Sequence, residues 1–424
     1  MKADRSLSSC CCTRRIFAKS AAGAAAGAYL GRPAAASPPV PFEVSASLYA
    51  WDLHDEGIER ILDNVQEMAA VNSVYLVALM HYERRPLTSP RFPHNPARTM
   101  WQAEDSRAYW RPEMKRYGRI KPRLSDHDWL SQTDWLKTMV EAARKRGLKT
   151  GVELSHTLVD LQRAATEFKD CVQRDIIGDP RIIYGGSFPV CPNNSDARQY
   201  VLNLFCDLAA NYDVDYLQTC LLPFMPGDEQ KGGCFCDSCV RAARASGFDL
   251  EGARAELKGH PAAESALNDW RAFRCRSMDE FYRTMHEGIH RIRPANLRFN
   301  DCFENHVDWG FDLGTMKAHL DSVRVMEYSE QRGDPAALNR KRQWLTRERQ
   351  ALGKDFPLLS AIAVRPKATP ELIRAGVRIA MECGMDGITL GHYDGAEFPM
   401  LRAIREGLKD AGVEVPAAPV KKAL

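Results

Sequence analysis

Cys234, Cys236 and Cys239 fall within six residues, in the run Gly-Gly-Cys-Phe-Cys-Asp-Ser-Cys, and Cys191 stands 43 residues upstream in Val-Cys-Pro-Asn-Asn-Ser. Four thiolates satisfy Zn2+ in a closed tetrahedral site that leaves no position for water. The C-x-C-x-x-C spacing lets one tight loop wrap three ligands around an ion, with Gly232 and Gly233 freeing the backbone for the approach. A structural zinc held by Cys191, Cys234, Cys236 and Cys239 is therefore expected. A Cys234–Cys239 disulfide with the other two thiols free is the alternative.

A second set of reactive side chains sits just past apolar runs. These are Asp52, His54 and Asp55; Glu153 and His156; Asn300, Asp301 and Glu304; Glu327 and Glu330; and His392, Tyr393 and Asp394. Cleaving a glycosidic bond uses two flanking carboxyl groups, one of which protonates the leaving oxygen. Carboxyls on adjacent strands can push each other's pKa values apart and so divide the acid and base roles. Asp301 and Glu327 are the expected pair, with Glu327 as general acid or nucleophile and Glu153 in reserve. Asp52, His81, His156, Arg365, His392, Asp394 and Trp110 are expected to bind substrate. For each acid the competing reading is a salt bridge to a residue such as Arg365, or a solvated loop charge. His81 could equally make one backbone bond at the edge of the core. Asp52, His54, His81, Glu153, His156, His392 and Asp394 would also suffice for an open metal site and metal-assisted hydrolysis. No His-x-His on the first strand and no zincin helix motif supports that reading.

The elements that must position these groups alternate. Apolar runs at Val44–Trp51, Ser73–Met80, Leu148–Leu154, Val214–Leu221, Leu297–Cys302, Val323–Tyr328, Pro357–Val364 and Gly387–Gly391 read as strands. Between and after them, Gly57–Ala70, Thr133–Arg146, Ser195–Ala210, Met278–Ile292, residues 335–352, Pro370–Cys383 and Glu397–Ala411 read as helices. Eight strands alternating with helices predict an α/β protein, a (β/α)8 TIM barrel. The Gly-x-Gly-x-x-Gly fingerprint of dinucleotide-binding sheets is absent after the first strand. Active sites of such barrels lie at the carboxyl ends of the strands. Two long loops would surround that mouth: an insertion over 81–131 after strand two, and the Cys-loop with a helical insertion over 223–270 after strand four. The first carries Trp101, Tyr109, Trp110, Tyr117 and Trp129. Their faces suit the C–H patches of sugar rings, or else staple the insertion to the barrel.

Residues 13–19 read Thr-Arg-Arg-Ile-Phe-Ala-Lys, followed by an Ala/Gly-rich stretch to Leu30 and by Pro33-Ala34-Ala35-Ala36. A twin arginine before such a stretch predicts a Tat signal over 1–36, cleaved so that the mature chain starts near Ser37. An uncleaved anchor or a disordered basic leader is the other reading. Export makes the Tat translocase a partner, places the product in the periplasm or outside the cell, and predicts no stable membrane anchor. The barrel would span 37–415 and a flexible tail 416–424. Residues 1–36 hold six Lys/Arg and one Asp, while the whole chain carries +3, so the remainder carries −2. The basic balance belongs to the leader, and no nucleic-acid partner is expected. Ten of the 13 cysteines remain after cleavage, and a metal bound before export would shield the cluster from oxidation.

The C-x-C-x-x-C loop after strand four, with a distant Cys-Pro-Asn-Asn, resembles the zinc site of family 42 glycoside hydrolases, the β-galactosidases of clan A. The likeness covers mainly residues 188–245, and it implies a carbohydrate or glycoside substrate. In that family an Asn-Glu pair ends strand four and a Glu nucleophile ends strand seven. This chain reads Leu217-Gln218-Thr219-Cys220-Leu221-Leu222-Pro223-Phe224 at the first position, with no carboxylate until Asp228-Glu229. At the second it reads Ser360-Ala361-Ile362-Ala363-Val364-Arg365. The expectation is an exported glycoside-hydrolase-like protein with a structural zinc, acting through other carboxylates at the mouth. A catalytically silent carbohydrate-binding barrel is the alternative.

Overall fold

The structure, a computed structural model, describes residues 41–79, 87–88, 100–101, 107–155, 158–183, 186–219, 223–225, 232–261, 263–304, 306–365 and 367–415. The expected signal over 1–36, the tail over 416–424, His81 and His156 lie outside them.

Eight strands form the centre: β1 (Glu43–Leu48), β2 (Ser73–Leu79), β3 (Lys149–Leu154), β4 (Tyr216–Thr219), β5 (Asn296–Asp301), β6 (Ser322–Val325), β7 (Leu358–Ile362) and β8 (Gly387–His392). Each pairs in parallel with the next, and β8 pairs in parallel with β1. The barrel is closed, as the alternation of the sequence requires. Among helices of seven residues or more, α1 is Ala50–Glu56, α2 Ile58–Ala69, α3 Trp135–Lys145, α4 Ser195–Asn211, α5 Asp237–Ala245, α6 Leu250–Gly259 and α7 Glu264–His290. The last three are α8 (Ala337–Leu352), α9 (Pro370–Glu382) and α10 (Phe398–Asp410).

The lumen is polar, and its bonds cross between strands that are not neighbours. Arg298 of β5 donates to both carboxylate oxygens of Glu43 on β1, at 2.9 and 3.1 Å. The guanidinium also sits 4.0 Å from the centre of the Tyr216 ring. Tyr216 of β4 reaches Ser73 of β2 through its hydroxyl at 2.8 Å. A Cβ on Gly151 would stand 2.1 Å from that ring, so the close approach requires glycine there. Burial alone would raise the Glu43 carboxyl, but the Arg298 guanidinium beside it wins and holds it at about 2. This layer plugs the amino end of the barrel.

Several expected boundaries move, and at β1 and β6 the reason is local. β1 was expected to run to Trp51 but stops at Leu48. The Asp52 side chain accepts the Tyr49 backbone N–H at 2.8 Å, a cap that turns the chain into α1. β6 stops at Val325 rather than Tyr328. There the Glu327 carboxylate takes the Ser329 N–H and hydroxyl at 2.7 and 2.8 Å, which fixes a tight turn. α7 starts at Glu264 and runs for 27 residues, well before the expected Met278.

Candidate functional site

The four cysteines converge. Cys191 arrives on the β3–α4 connection, Cys234 and Cys236 on the β4–α5 connection, and Cys239 in the first turn of α5. Their Sγ atoms all lie within 4.8 Å of one another, and all four residues are buried. The Sγ of Cys191 is 3.5 Å from that of Cys239 and 3.4 Å from that of Cys236. A disulfide needs about 2.05 Å, and all four thiols are free, which sets the disulfide alternative aside. A tetrahedral ion with bonds of about 2.3 Å spaces its sulfurs about 3.8 Å apart, close to what is seen.

Backbone and side-chain donors point at these sulfurs. Arg174 N–H reaches Cys234 at 3.4 Å, Asn193 N–H reaches Cys191 at 3.4 Å, and the Asn193 amide reaches Cys239 at 3.5 Å. Such donors stabilise thiolate charge. Burial pushes the Cys191 and Cys239 thiols well above their ordinary range, while hydrogen bonds from the other three thiols hold Cys236 down. The residues thus fit a metal ion. Gly233 has φ +74°, and a Cβ there would meet the Trp270 ring at 2.5 Å. Asn194 caps α4 by accepting Ala197 N–H at 3.1 Å, and its amide reaches Ser238 at 3.4 Å, joining the two Cys-bearing segments.

At the carboxyl end of the barrel, between β8 and β1, a second group assembles. The Tyr49 ring is stacked between Trp51 (4.1 Å, 15°) and His392 (4.5 Å, 26°), and Tyr109 meets Trp51 edge-on at 6.1 Å. His392 Nδ1 is 3.0 Å from the Ser47 hydroxyl. Beside this stack lie Asp52, in the first turn of α1, and Asp394, in the turn after β8, both buried. Burial, then the charge of Asp394, pushes the Asp52 carboxyl well above the usual range. Arg365 approaches Asp394 at 3.9 Å.

The acids favoured from sequence are engaged elsewhere. Asp301 and Glu327 do not meet through their carboxylates in any hydrogen bond among the described residues. Strand alternation points Asn300 into the lumen and Asp301 outward, where Asp301 accepts His306 Nε2 at 2.8 Å and Trp344 Nε1 at 3.1 Å. Burial opposes charge on His306, and the Asp301 carboxylate overcomes it and raises the imidazole. Glu327 is taken up by Ser329. Glu153 does face the lumen, but its Oε2 accepts Arg324 at 3.0 Å and Gln218 at 2.6 Å. Glu330 is buried against Lys341 at 2.7 Å. Trp110 staples the insertion instead of facing a ligand: it is buried and donates to Asp207 of α4 at 3.2 Å, where Tyr117 also binds at 2.7 Å.

Sequence reasoning singled out Asn300 but passed over the rest of the lumen floor. Arg324, Gln218, Asn300, Tyr75 and Thr389 are buried inside the barrel. Asn300 Oδ1 and Nδ2, Gln218 Oε1 and Thr389 Oγ1 have no hydrogen-bond partner among the described residues. Buried amides without partners are rare and mark a place that takes polar groups. The signal was there in Val323-Arg324-Val325, a charge alternating with apolar residues in a strand.

No protein-family profile matches the chain, and no curated protein matches it. Solved structures do. The glycoside hydrolase domain of PgaB (BpsB) from Bordetella bronchiseptica superposes with a TM-score of 0.61 at 14% identity, over 89% of this chain and 100% of that one. The fold is the TIM barrel. α-L-Fucosidase isoenzyme 2 from Paenibacillus thiaminolyticus gives 0.60 at 13% identity over 88% of this chain, which spans about half (49%) of the fucosidase chain. β-Galactosidase from the psychrophilic Marinomonas ef1 gives 0.52 at 11% identity, over 88% of this chain and 61% of that one. At these identities the likeness is one of fold, and site chemistry has to be argued from this chain's own residues.

Proposed function

We propose that this chain is an exported glycoside-hydrolase-like enzyme acting on a carbohydrate or glycoside at the carboxyl end of its barrel. Asp52 is the protonated acid and Asp394 its charged partner. The observation that carries this reading is the Asp52–Asp394 pair beside the Tyr49–Trp51–His392 stack. Two neighbouring carboxyls in one buried site, one of them pushed up, can divide acid and base duties. A protonated Asp52 can donate to a leaving glycosidic oxygen, while Asp394, near Arg365, faces developing positive charge on the sugar. The Asn300 amide and the Gln218 Oε1, which have no hydrogen-bond partner among the described residues, supply polar contacts deeper in the lumen. This moves the chemistry away from Asp301 and Glu327, whose carboxylates serve the protein interior.

The cysteine centre is read as a structural zinc site, since four sulfurs leave no open position for substrate or water. It ties the β3–α4 and β4–α5 connections together. Export by the Tat translocase rests on the twin-arginine leader and implies a periplasmic or secreted protein. Among the described residues, no helix is long and apolar enough to cross a membrane.

A second reading, a silent carbohydrate-binding barrel, is favoured by one observation: Glu153, Asp301 and Glu327 are all held by internal partners. A broad glycoside panel separates the two. Turnover by the wild type, reduced roughly 10²–10⁴-fold in Asp52→Asn, supports the enzyme. Sugar binding without turnover supports the binding barrel, and undiminished turnover in Asp52→Asn removes the assigned acid.

A further inference from the structure

At the amino end of the barrel, opposite the mouth, α7 carries His286 and His290 one turn apart. Their rings lie 3.9 Å apart, centre to centre. Both turn Nε2 toward one carboxylate: His286 is 3.4 Å from Asp321 Oδ1 and His290 is 3.1 Å from Asp321 Oδ2. Asp321 immediately precedes β6, and its Oδ2 also accepts the Leu297 N–H of β5 at 2.8 Å, which fixes the carboxylate on the barrel rim.

We propose that His286, His290 and Asp321 form a second cation site, for a borderline divalent transition ion such as Zn2+. Two imidazoles at i and i+4 on one helix face, with a carboxylate from a facing segment, are the nitrogen and oxygen donors such ions select. The spacing fits. An ion with bonds of about 2.0–2.1 Å to each ligand in a tetrahedron separates adjacent donors by about 3.3 Å. The two observed nitrogen–oxygen distances bracket that value, and all three ligand atoms lie within 4.8 Å of one another. A shared cation uses both lone pairs at once. The three side chains are part-exposed, at 24, 34 and 27%, so an ion can enter from solvent and a fourth position stays open.

Such an ion would pin the end of α7 to the start of β6. The same helix presses Trp270 against Gly233 of the cysteine loop, so both metal centres would brace one element. The site does not depend on the reading of the mouth.

The test is a zinc count on purified full-length protein, stripped of weakly bound metal and titrated with Zn2+, with calorimetry alongside. The expected result is one ion retained by the cysteines and one further equivalent taken up. His290→Ala and His286→Ala should each abolish the further equivalent while keeping the first, and Zn2+ should raise the melting temperature of the wild type but not of these variants. Cys236→Ser, by contrast, should leave the further equivalent in place. Uptake unchanged in both histidine variants, or no uptake beyond the cysteine-held ion, overturns the proposal. A melting curve of metal-free His290→Ala matching the metal-free wild type excludes misfolding as the cause of lost binding.

Discussion

Arg324→Met is the perturbation that tests the lumen most sharply. Arg324 and Glu153 are both buried, at 0 and 6% exposure. The arginine donates to Glu153 at 3.0 Å and to the Tyr328 hydroxyl at 2.9 Å, and sits 5.3 Å from the Tyr75 ring centre. Removing it leaves Glu153 with Gln218 alone. An uncompensated buried charge of this kind costs about 3–5 kcal/mol. Against a total stability of about 5–15 kcal/mol, that is a large share. Glu153→Gln strands the guanidinium and should cost a similar amount. The double variant removes both charges, so its loss should be well below the sum, with a coupling energy of about 3 kcal/mol. Urea unfolding of the four proteins at neutral pH measures the cycle. Losses that add within about 0.5 kcal/mol would refute the reasoning, because the two groups would then not compensate each other.

Other outcomes follow from the same geometry. Glu43 is held at about 2 in the folded chain, below its unfolded value of about 4.3, so its contribution is complete above the unfolded value and lost as pH falls toward 2. Stability curves of wild type and Glu43→Gln should therefore differ by a pH-dependent part of about 3 kcal/mol between roughly pH 5 and pH 2. Asp52 has the opposite sign: its folded carboxyl is raised, so the folded state holds its proton longer and stability falls as pH climbs past the unfolded value. Asp52→Asn keeps the acceptor for the Tyr49 N–H, so it should be more stable than wild type at neutral pH and similar in acid, as read by thermal melts. Cys236→Ser should lose the tightly held metal and melt at a lower temperature, as metal analysis and calorimetry would report; unchanged metal content would remove the cysteine centre from the account.

The fold was legible because helix and strand periods alternate cleanly, and the cysteine centre because three of its four thiols fall within six residues. The acid assignments were not, for two physical reasons. In β5 the apolar Leu297 and Phe299 face the helices while Arg298 and Asn300 face the lumen, so the next residue, Asp301, turns away from the mouth. A polar lumen inverts the usual expectation that apolar residues fill a barrel. The second reason is capping. Asp52 and Glu327 each bind a backbone N–H two or three residues away, which ends a strand that hydrophobicity alone would have continued. The Trp110 staple needed Asp207, some 97 residues distant, which no local pattern discloses.

The central claim is that Asp52 is kept protonated beside Asp394. Infrared difference spectroscopy of the wild type against Asp52→Asn at neutral pH reads it without any substrate. A protonated-carboxyl band present in the wild type, absent in Asp52→Asn, and titrating at lower pH in Asp394→Asn is the expected result. A spectrum in which Asp52 contributes only as a carboxylate would contradict the account.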